Sequence, residues 1–75
     1  MHKQEYSKAM EVFQKALAAW PIYTLGHYRL GALLALKGRS SEAKKAFETA
    51  LNLAKRDQDM LMEEASRAAL EELSP

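Results

Sequence analysis

The sequence predicts an all-α fold, and three observations support this prediction. Alanine, leucine, lysine and glutamate, which are strong helix formers, dominate the composition. β-Branched residues are scarce, and no stretch alternates apolar and polar residues with the period of two that marks a strand. Apolar residues instead recur at helical spacing, as in Ala9, Phe13, Ala16 and Leu17. With 75 residues, the chain is long enough for one small domain.

Helix breakers divide this domain into four helical segments. We expect the helices over residues 4–19, 24–37, 41–55 and 58–73. Pro21 ends the first helix because its ring cannot continue the hydrogen-bond ladder. Gly38 ends the second helix, at the position where glycine commonly reverses the chain. The connections are short, so we expect successive helices to pack as antiparallel hairpins.

Polar residues at the connections predict the caps of the last two helices. A side-chain oxygen at an N-cap accepts a hydrogen bond from a free amide of the first turn. Ser40 or Ser41 is expected to cap the third helix in this way. Asp57 or Asp59 is expected to cap the fourth.

A shift of 34 residues superimposes the first half of the chain on the second. The matched pairs are Ser7 and Ser41, Ala9 and Ala43, Phe13 and Phe47, Ala16 and Ala50, and Leu17 and Leu51. The second and fourth helices match more weakly at the same shift, which places Gly31 on Ala65 and Leu34 on Ala68. A fixed period of this length is typical of a solenoid built from a repeated helical hairpin.

These residues resemble the tetratricopeptide repeat (TPR) family. Its pattern has a Leu-Gly pair between two aromatics on the first helix, and an alanine, an aromatic, an alanine and a closing proline on the second. The matching residues are Ala9, Phe13, Ala16, Pro21, Leu30, Gly31, Gly38, Ala43, Phe47 and Ala50. The chain departs from the pattern at His27, Leu34, Lys55 and Glu64. The resemblance implies a right-handed α-α superhelix of four helices, in the order second-type, first-type, second-type, first-type.

The residue sizes in this pattern have a packing explanation. Gly31, Ala43 and Ala50 are small where two helices approach closely, whereas Phe13 and Phe47 are large where a hairpin meets its neighbour. Large residues that face small ones fill the space without voids. We therefore expect Gly31→Leu to destabilise the domain by overpacking.

The resemblance implies a protein-interaction scaffold that binds a peptide or a partner helix on a concave face lined by the first-type helices. On the complete repeat the inward positions are Leu25, Tyr28, Arg29, Ala32, Ala35 and Leu36. On the last helix they are Asp59, Met62, Glu63, Ser66, Ala69 and Leu70. Among these, Leu25, Tyr28, Arg29, Ala32, Leu36 and Met62 are the candidate groove residues. The same residues could instead pack against neighbouring helices. Tyr28 and Ala32 stand where carboxylate-binding members carry lysine or asparagine, so recognition of a C-terminal carboxylate is not expected.

A second hypothesis is a structural self-association unit, in which two chains complete each other's solenoid as a homodimer. Trp20, Ile22 and Tyr23 form an apolar group at the boundary between repeats. They either cover the first helix or dock a second chain. Residues 37–56 carry a net charge of +4 and residues 57–75 a net charge of −5. These charges could attract each other, or they could lie on two solvated helix faces.

Nothing in the sequence indicates an enzyme or a cofactor. No phosphate-binding glycine loop is present, and the adjacent pairs Glu63-Glu64 and Glu71-Glu72 do not converge on one helix face. There is no cysteine, and the two histidines lie far apart, so no metal site is expected.

Charge and hydropathy also argue against nucleic-acid and membrane partners. The net charge is only +1, and the basic residues are not interleaved with aromatics. The longest apolar run, residues 30–36, is far shorter than the roughly 20 residues that span a bilayer. The N-terminal MHKQEY lacks the apolar core of a signal peptide, so a cytoplasmic protein is expected.

Overall fold

The computed structural model describes the backbone of residues 3–73 and the side chains of residues 7–73. Four helices follow one another along this part of the chain. They are α1 (Lys3–Ala19), α2 (Thr24–Leu36), α3 (Ser40–Asp57) and α4 (Met60–Leu73). These residues contain no strand, and the all-α prediction is confirmed.

The α1–α2 connection is a tight turn at Pro21. The amide of Trp20 still donates to the Ala16 carbonyl at 2.8 Å, and the amide of Tyr23 donates to the Trp20 carbonyl at 3.1 Å. The ring of His27 lies one turn into α2, and its Nε2 is 2.7 Å from the Pro21 carbonyl oxygen. Since a carbonyl can only accept, Nε2 carries the proton in this bond. The histidine therefore ties α2 back to the turn.

The α2–α3 connection is a glycine turn. Gly38 has a φ of +79°, a left-handed conformation that glycine adopts without a Cβ penalty. Its amide donates to the Ala35 carbonyl at 3.0 Å, and the amide of Arg39 donates to the Leu34 carbonyl at 2.9 Å. These two bonds form a Schellman motif and satisfy the last carbonyls of α2. The motif ends α2 at Leu36, one residue before the predicted end.

The predicted cap of α3 is wrong. Its N-cap is Arg39, which makes no side-chain capping bond, and both Ser40 and Ser41 lie inside the helix. The physical reason is the short turn, because Arg39 is the only residue between the left-handed Gly38 and the first helical residue. The helix also extends two residues beyond the predicted position 55, to Asp57.

The α3–α4 connection consists of Gln58 and Asp59. Gln58 ends α3 in the left-handed conformation with a φ of 58°, and the amide of Asp59 donates to the Ala54 carbonyl at 2.8 Å. The Asp59 Oδ1 accepts a hydrogen bond of 3.1 Å from the Met62 amide. Asp59 is therefore the N-cap of α4, as predicted, and α4 begins at Met60 rather than at 58.

The core lies mainly between α2 and α3, with α4 packed against both. Its buried residues are Met10, Leu34, Ala43, Ala46 and Phe47. Gly31 is buried against Phe47, and a Cβ added to this glycine would lie only 2.8 Å from the Phe47 Cε1. Among the described residues, α1 contacts α2 alone.

Candidate functional site

A groove runs between α2 and α4, with a side chain of α3 at its base. We call it the α2–α4 groove, and its volume is about 390 Å³. Its lining residues are Tyr28, Ala32, Ala35, Leu36, Phe47, Ala69, Glu72 and Leu73. The lining is apolar except for one phenol and one carboxylate.

Helix periodicity brings these side chains to one place. Tyr28, Ala32 and Ala35 share one side of α2 because residues four and three apart face the same way. On α4, Ala69 and Leu73 share a side for the same reason. The alanines keep the groove open, because their side chains reach no further than the Cβ.

An aromatic pair supports the base of the groove. The ring centroids of Tyr28 and Phe47 lie 5.5 Å apart with the planes inclined at 57°. This tilted arrangement is favourable for two aromatic rings. It positions the Tyr28 ring at the junction of α2 and α3.

The predicted groove residues do not all meet in this groove. Tyr28, Ala32 and Leu36 line it, while Arg29 lines a second cavity and Leu25 and Met62 line neither. The sequence reasoning did not place Phe47, Glu72 or Leu73 in the groove. The sequence predicts Phe47 as a repeat-packing residue, and Glu72 and Leu73 lie beyond Leu70, the last inward position predicted on α4.

A second cavity, the α1–α2 slot, lies between α1 and α2. Its volume is about 210 Å³. Its lining residues are Ala9, Phe13, Tyr28, Arg29, Ala32 and Leu33. Ala32 and Tyr28 therefore contribute to both cavities, which adjoin along α2.

The three residues of the predicted apolar group do lie together. Trp20, Ile22 and Tyr23 surround an open cavity of about 360 Å³ at the α1–α2 turn. All three side chains are exposed, and that of Trp20 is 66% accessible. We call this group the apolar knuckle.

Polar contacts among the described residues are few and exposed. Arg67 donates to the Glu63 carboxylate at 2.7 Å, one turn away on α4. The Lys37 ammonium donates to the Ser7 hydroxyl at 3.1 Å and links the end of α2 to α1. Exposed pairs of this kind contribute little to stability. The cohesion of the structure therefore comes from apolar packing.

Ser66 differs from these polar residues because its side chain is buried. It is fully buried, and its hydroxyl oxygen has no hydrogen-bond partner among the described residues. Sequence reasoning had placed Ser66 among the inward positions of the concave face. The structure instead buries it, so it is not accessible to a partner.

The surfaces described above are mainly apolar. Within the described residues, no three His, Asp or Glu side chains come together in a group that could hold a metal ion. Among residues 3–73, no helix combines the length and the apolar character needed to cross a bilayer. The α2–α4 groove can bury the apolar side of another molecule and offers one carboxylate at its edge.

Residues 24–57, which contain α2, the Gly38 turn and α3, match the family model of the tetratricopeptide repeat. The chain carries a tetratricopeptide repeat. The repeat begins at the first residue of α2 and ends at the last residue of α3. Repeats of this family are typical of protein–protein interaction modules. Comparison with curated proteins and with solved structures finds no match.

Proposed function

We propose that the chain is an interaction scaffold that binds one helix of a partner protein in the α2–α4 groove. The observation that carries this proposal is the groove itself, an open volume of about 390 Å³ with apolar walls on two helices. Leu36 is exposed at this surface. Burial of exposed apolar surface is the main driving force for such docking.

The lining of the groove favours a particular partner chemistry. An amphipathic helix lays its apolar side into a groove through residues spaced three, four and seven apart. Glu72 is an exposed carboxylate in an otherwise apolar lining. A lysine or arginine beside the apolar stripe of the partner would complement this charge. We therefore propose a basic amphipathic helix as the ligand class.

A library of amphipathic helical peptides displayed on phage tests this proposal. Peptides selected on the parent chain should be enriched in lysine or arginine beside the apolar stripe. They should bind at least about tenfold more weakly to Leu36→Asp and to Glu72→Lys, a change of about 1.4 kcal/mol or more. Both positions are exposed, so neither substitution disturbs the core.

Glu48→Lys is the matched control, because Glu48 is an exposed glutamate on α3 outside the groove lining. Its peptide affinities should equal those of the parent. Peptides that bind all three variants equally well would show that the ligand lies elsewhere. Failure to select any peptide would also count against the groove.

A second candidate function is self-association, and the exposure of the apolar knuckle favours it. Three large apolar side chains at one turn form a surface that a second chain can cover. Sedimentation velocity from micromolar to millimolar concentration tests this candidate. A mass that rises with concentration supports it, and a single chain throughout excludes it.

A further inference from the structure

Residues of α1 and α3 that are matched by the 34-residue shift differ in burial. Ala46 on α3 is 8% accessible, but its equivalent on α1, Val12, is 63% accessible. Phe13 and Ala9 line the open α1–α2 slot, whereas their equivalents on α3 are buried. In the repeat, α1 precedes α2 as α3 precedes α4. The surface that α2 covers on α3 is therefore uncovered on α1.

The opposite end of the described structure shows the complementary situation. The residues of α2 that face α3 include Gly31 and Leu34, whose equivalents on α4 are Ala65 and Ala68. Ala68 is exposed, and Leu61 near the start of α4 is 84% accessible. On this side, α4 is a first-type helix with small residues and no second-type helix packed on it.

We propose that α4 of one chain docks on α1 of a second copy, in the register in which α2 packs on α3. This inference rests on the proposed self-association and specifies its geometry. The contact of Gly31 with Phe47 becomes a contact of Ala65 with the second copy's Phe13. Because the helices are antiparallel and rise 1.5 Å per residue, four residues further along Leu61 meets Leu17. Trp20 lies at the end of the same interface.

Charge complementarity selects a second copy as the occupant. The helix α4 carries four glutamates and one arginine, whereas α1 carries three lysines and two glutamates. In the proposed register, Glu64 lies near Lys15 and Glu71 lies near Lys8 of the second copy. The acidic side of α4 therefore meets the basic residues of α1, and added salt weakens the association.

The proposed interface joins two different surfaces, so it is heterologous. Such an interface leaves one free surface of each kind at the ends of any open complex. Association should therefore continue beyond two chains and extend the array of repeats, rather than stop at a symmetric homodimer. Each junction would fill one α1–α2 slot with the α4 of the preceding copy.

Two variants, each blocked at one end, test this geometry by sedimentation velocity. Val12→Glu blocks the α1 surface, and Ala68→Glu blocks the α4 surface; both positions are exposed. Each variant alone should remain a single chain at concentrations where the parent associates. An equimolar mixture should form a two-chain complex and nothing larger, because only one unsubstituted junction is possible. The other possible junction would join the two substituted surfaces, and their two carboxylates repel each other.

Circular dichroism establishes that both variants keep the helix content of the parent. If Ala68→Glu loses helicity, the pair Ala68→Arg and Val12→Arg replaces both variants. The new guanidinium on α4 can pair with Glu64 and Glu72 one turn away, and the junction that carries both substitutions is then repelled by its two guanidinium groups. Asn52→Glu, at an exposed position of α3 outside both surfaces, is the control and should associate as the parent does.

The outcomes separate this inference from the proposals on which it rests. A parent that stays a single chain up to millimolar concentration overturns both self-association and the head-to-tail junction. A parent that associates, combined with a mixture that does not recover a two-chain complex, overturns the junction alone. If either variant alone associates to the same extent as the parent, the junction is likewise overturned. Peptide binding in the α2–α4 groove is measured separately.

Discussion

Gly31 of α2 packs directly against Phe47 of α3, so Gly31→Ala tests how tightly the two helices pack. The added Cβ would lie 2.8, 2.9 and 3.0 Å from three ring atoms of Phe47. At distances below 3.0 Å, either the α2 backbone at Gly31 or the Phe47 ring has to move. The Phe47 ring is almost fully buried and packs against the tilted ring of Tyr28, so it has little room to turn.

Two opposing effects set the expected size of the change. Alanine is favoured over glycine inside a helix by about 1 kcal/mol. Overpacking a filled core costs about 1–3 kcal/mol. We expect the clash to win, with a net loss of about 1 kcal/mol of unfolding free energy, which lowers the Tm of a domain of this size by about 4–8 °C.

A double-mutant cycle with Phe47→Leu separates the two effects. Leucine lacks the ring atoms that the new Cβ would meet. In that background Gly31→Ala should therefore raise stability through helix propensity, and the coupling between the two sites should be about 2 kcal/mol. Urea and thermal unfolding followed by circular dichroism measure all four variants. The chain concentration is held fixed, because self-association changes the apparent stability.

Gly26→Ala is the matched control. Its added Cβ would lie 2.7 Å from the Tyr23 ring, but Tyr23 is exposed and can move, and the other neighbour is the end of the Leu17 side chain at 3.0 Å. We expect Gly26→Ala to lose less stability than Gly31→Ala, and Gly31→Leu to lose more. A Gly31→Ala chain that melts above the parent would refute the close-packing argument.

Four further substitutions test other parts of the structure. Ser66→Ala should raise the unfolding free energy by about 1 kcal/mol, because the buried hydroxyl loses its hydration without gaining a partner; a lower Tm would contradict this. Gln58→Gly should raise the unfolding free energy by about 1 kcal/mol, because glycine adopts the left-handed backbone conformation without strain. An unchanged urea midpoint would argue against strain at Gln58. Asp59→Ala should lower the unfolding free energy by about 1 kcal/mol through loss of the α4 cap. A Tm equal to that of the parent would show that this cap does not stabilise the chain. Trp20→Asp should leave the melt of the single chain nearly unchanged but weaken self-association in sedimentation, and association that survives intact would exclude Trp20 from the interface.

The helices were predictable from the sequence because periodicity and breakers act locally. Pro21 and Gly38 mark two of the three connections, and Asp59 caps α4 as expected. The cap of α3 was not predictable from residue type, since serine is a good cap residue that here follows a turn of only three residues. The start of α4 was misplaced because Gln58 adopts a left-handed conformation that glutamine seldom takes.

The groove was only partly predictable because it depends on how three helices cross. Tyr28, Ala32 and Leu36 repeat at four-residue spacing and share a side of α2 whatever the tilt of the other helices. The participation of Glu72 and Leu73 follows from the angle at which α4 crosses α2. Helical periodicity alone does not determine that angle.

Within the part of the chain that the structure describes, α1 is attached to α2 alone, and this attachment affects how the molecule opens. Departure of α1 breaks no contact within α2, α3 and α4, so its free-energy cost is only that of one interface. Such sub-global opening leaves the rest of the molecule intact. Backbone amides of α1 should therefore exchange with deuterium well before those of α3, which is covered on two sides. The free energy needed to open α1 should therefore be smaller than the free energy of global unfolding.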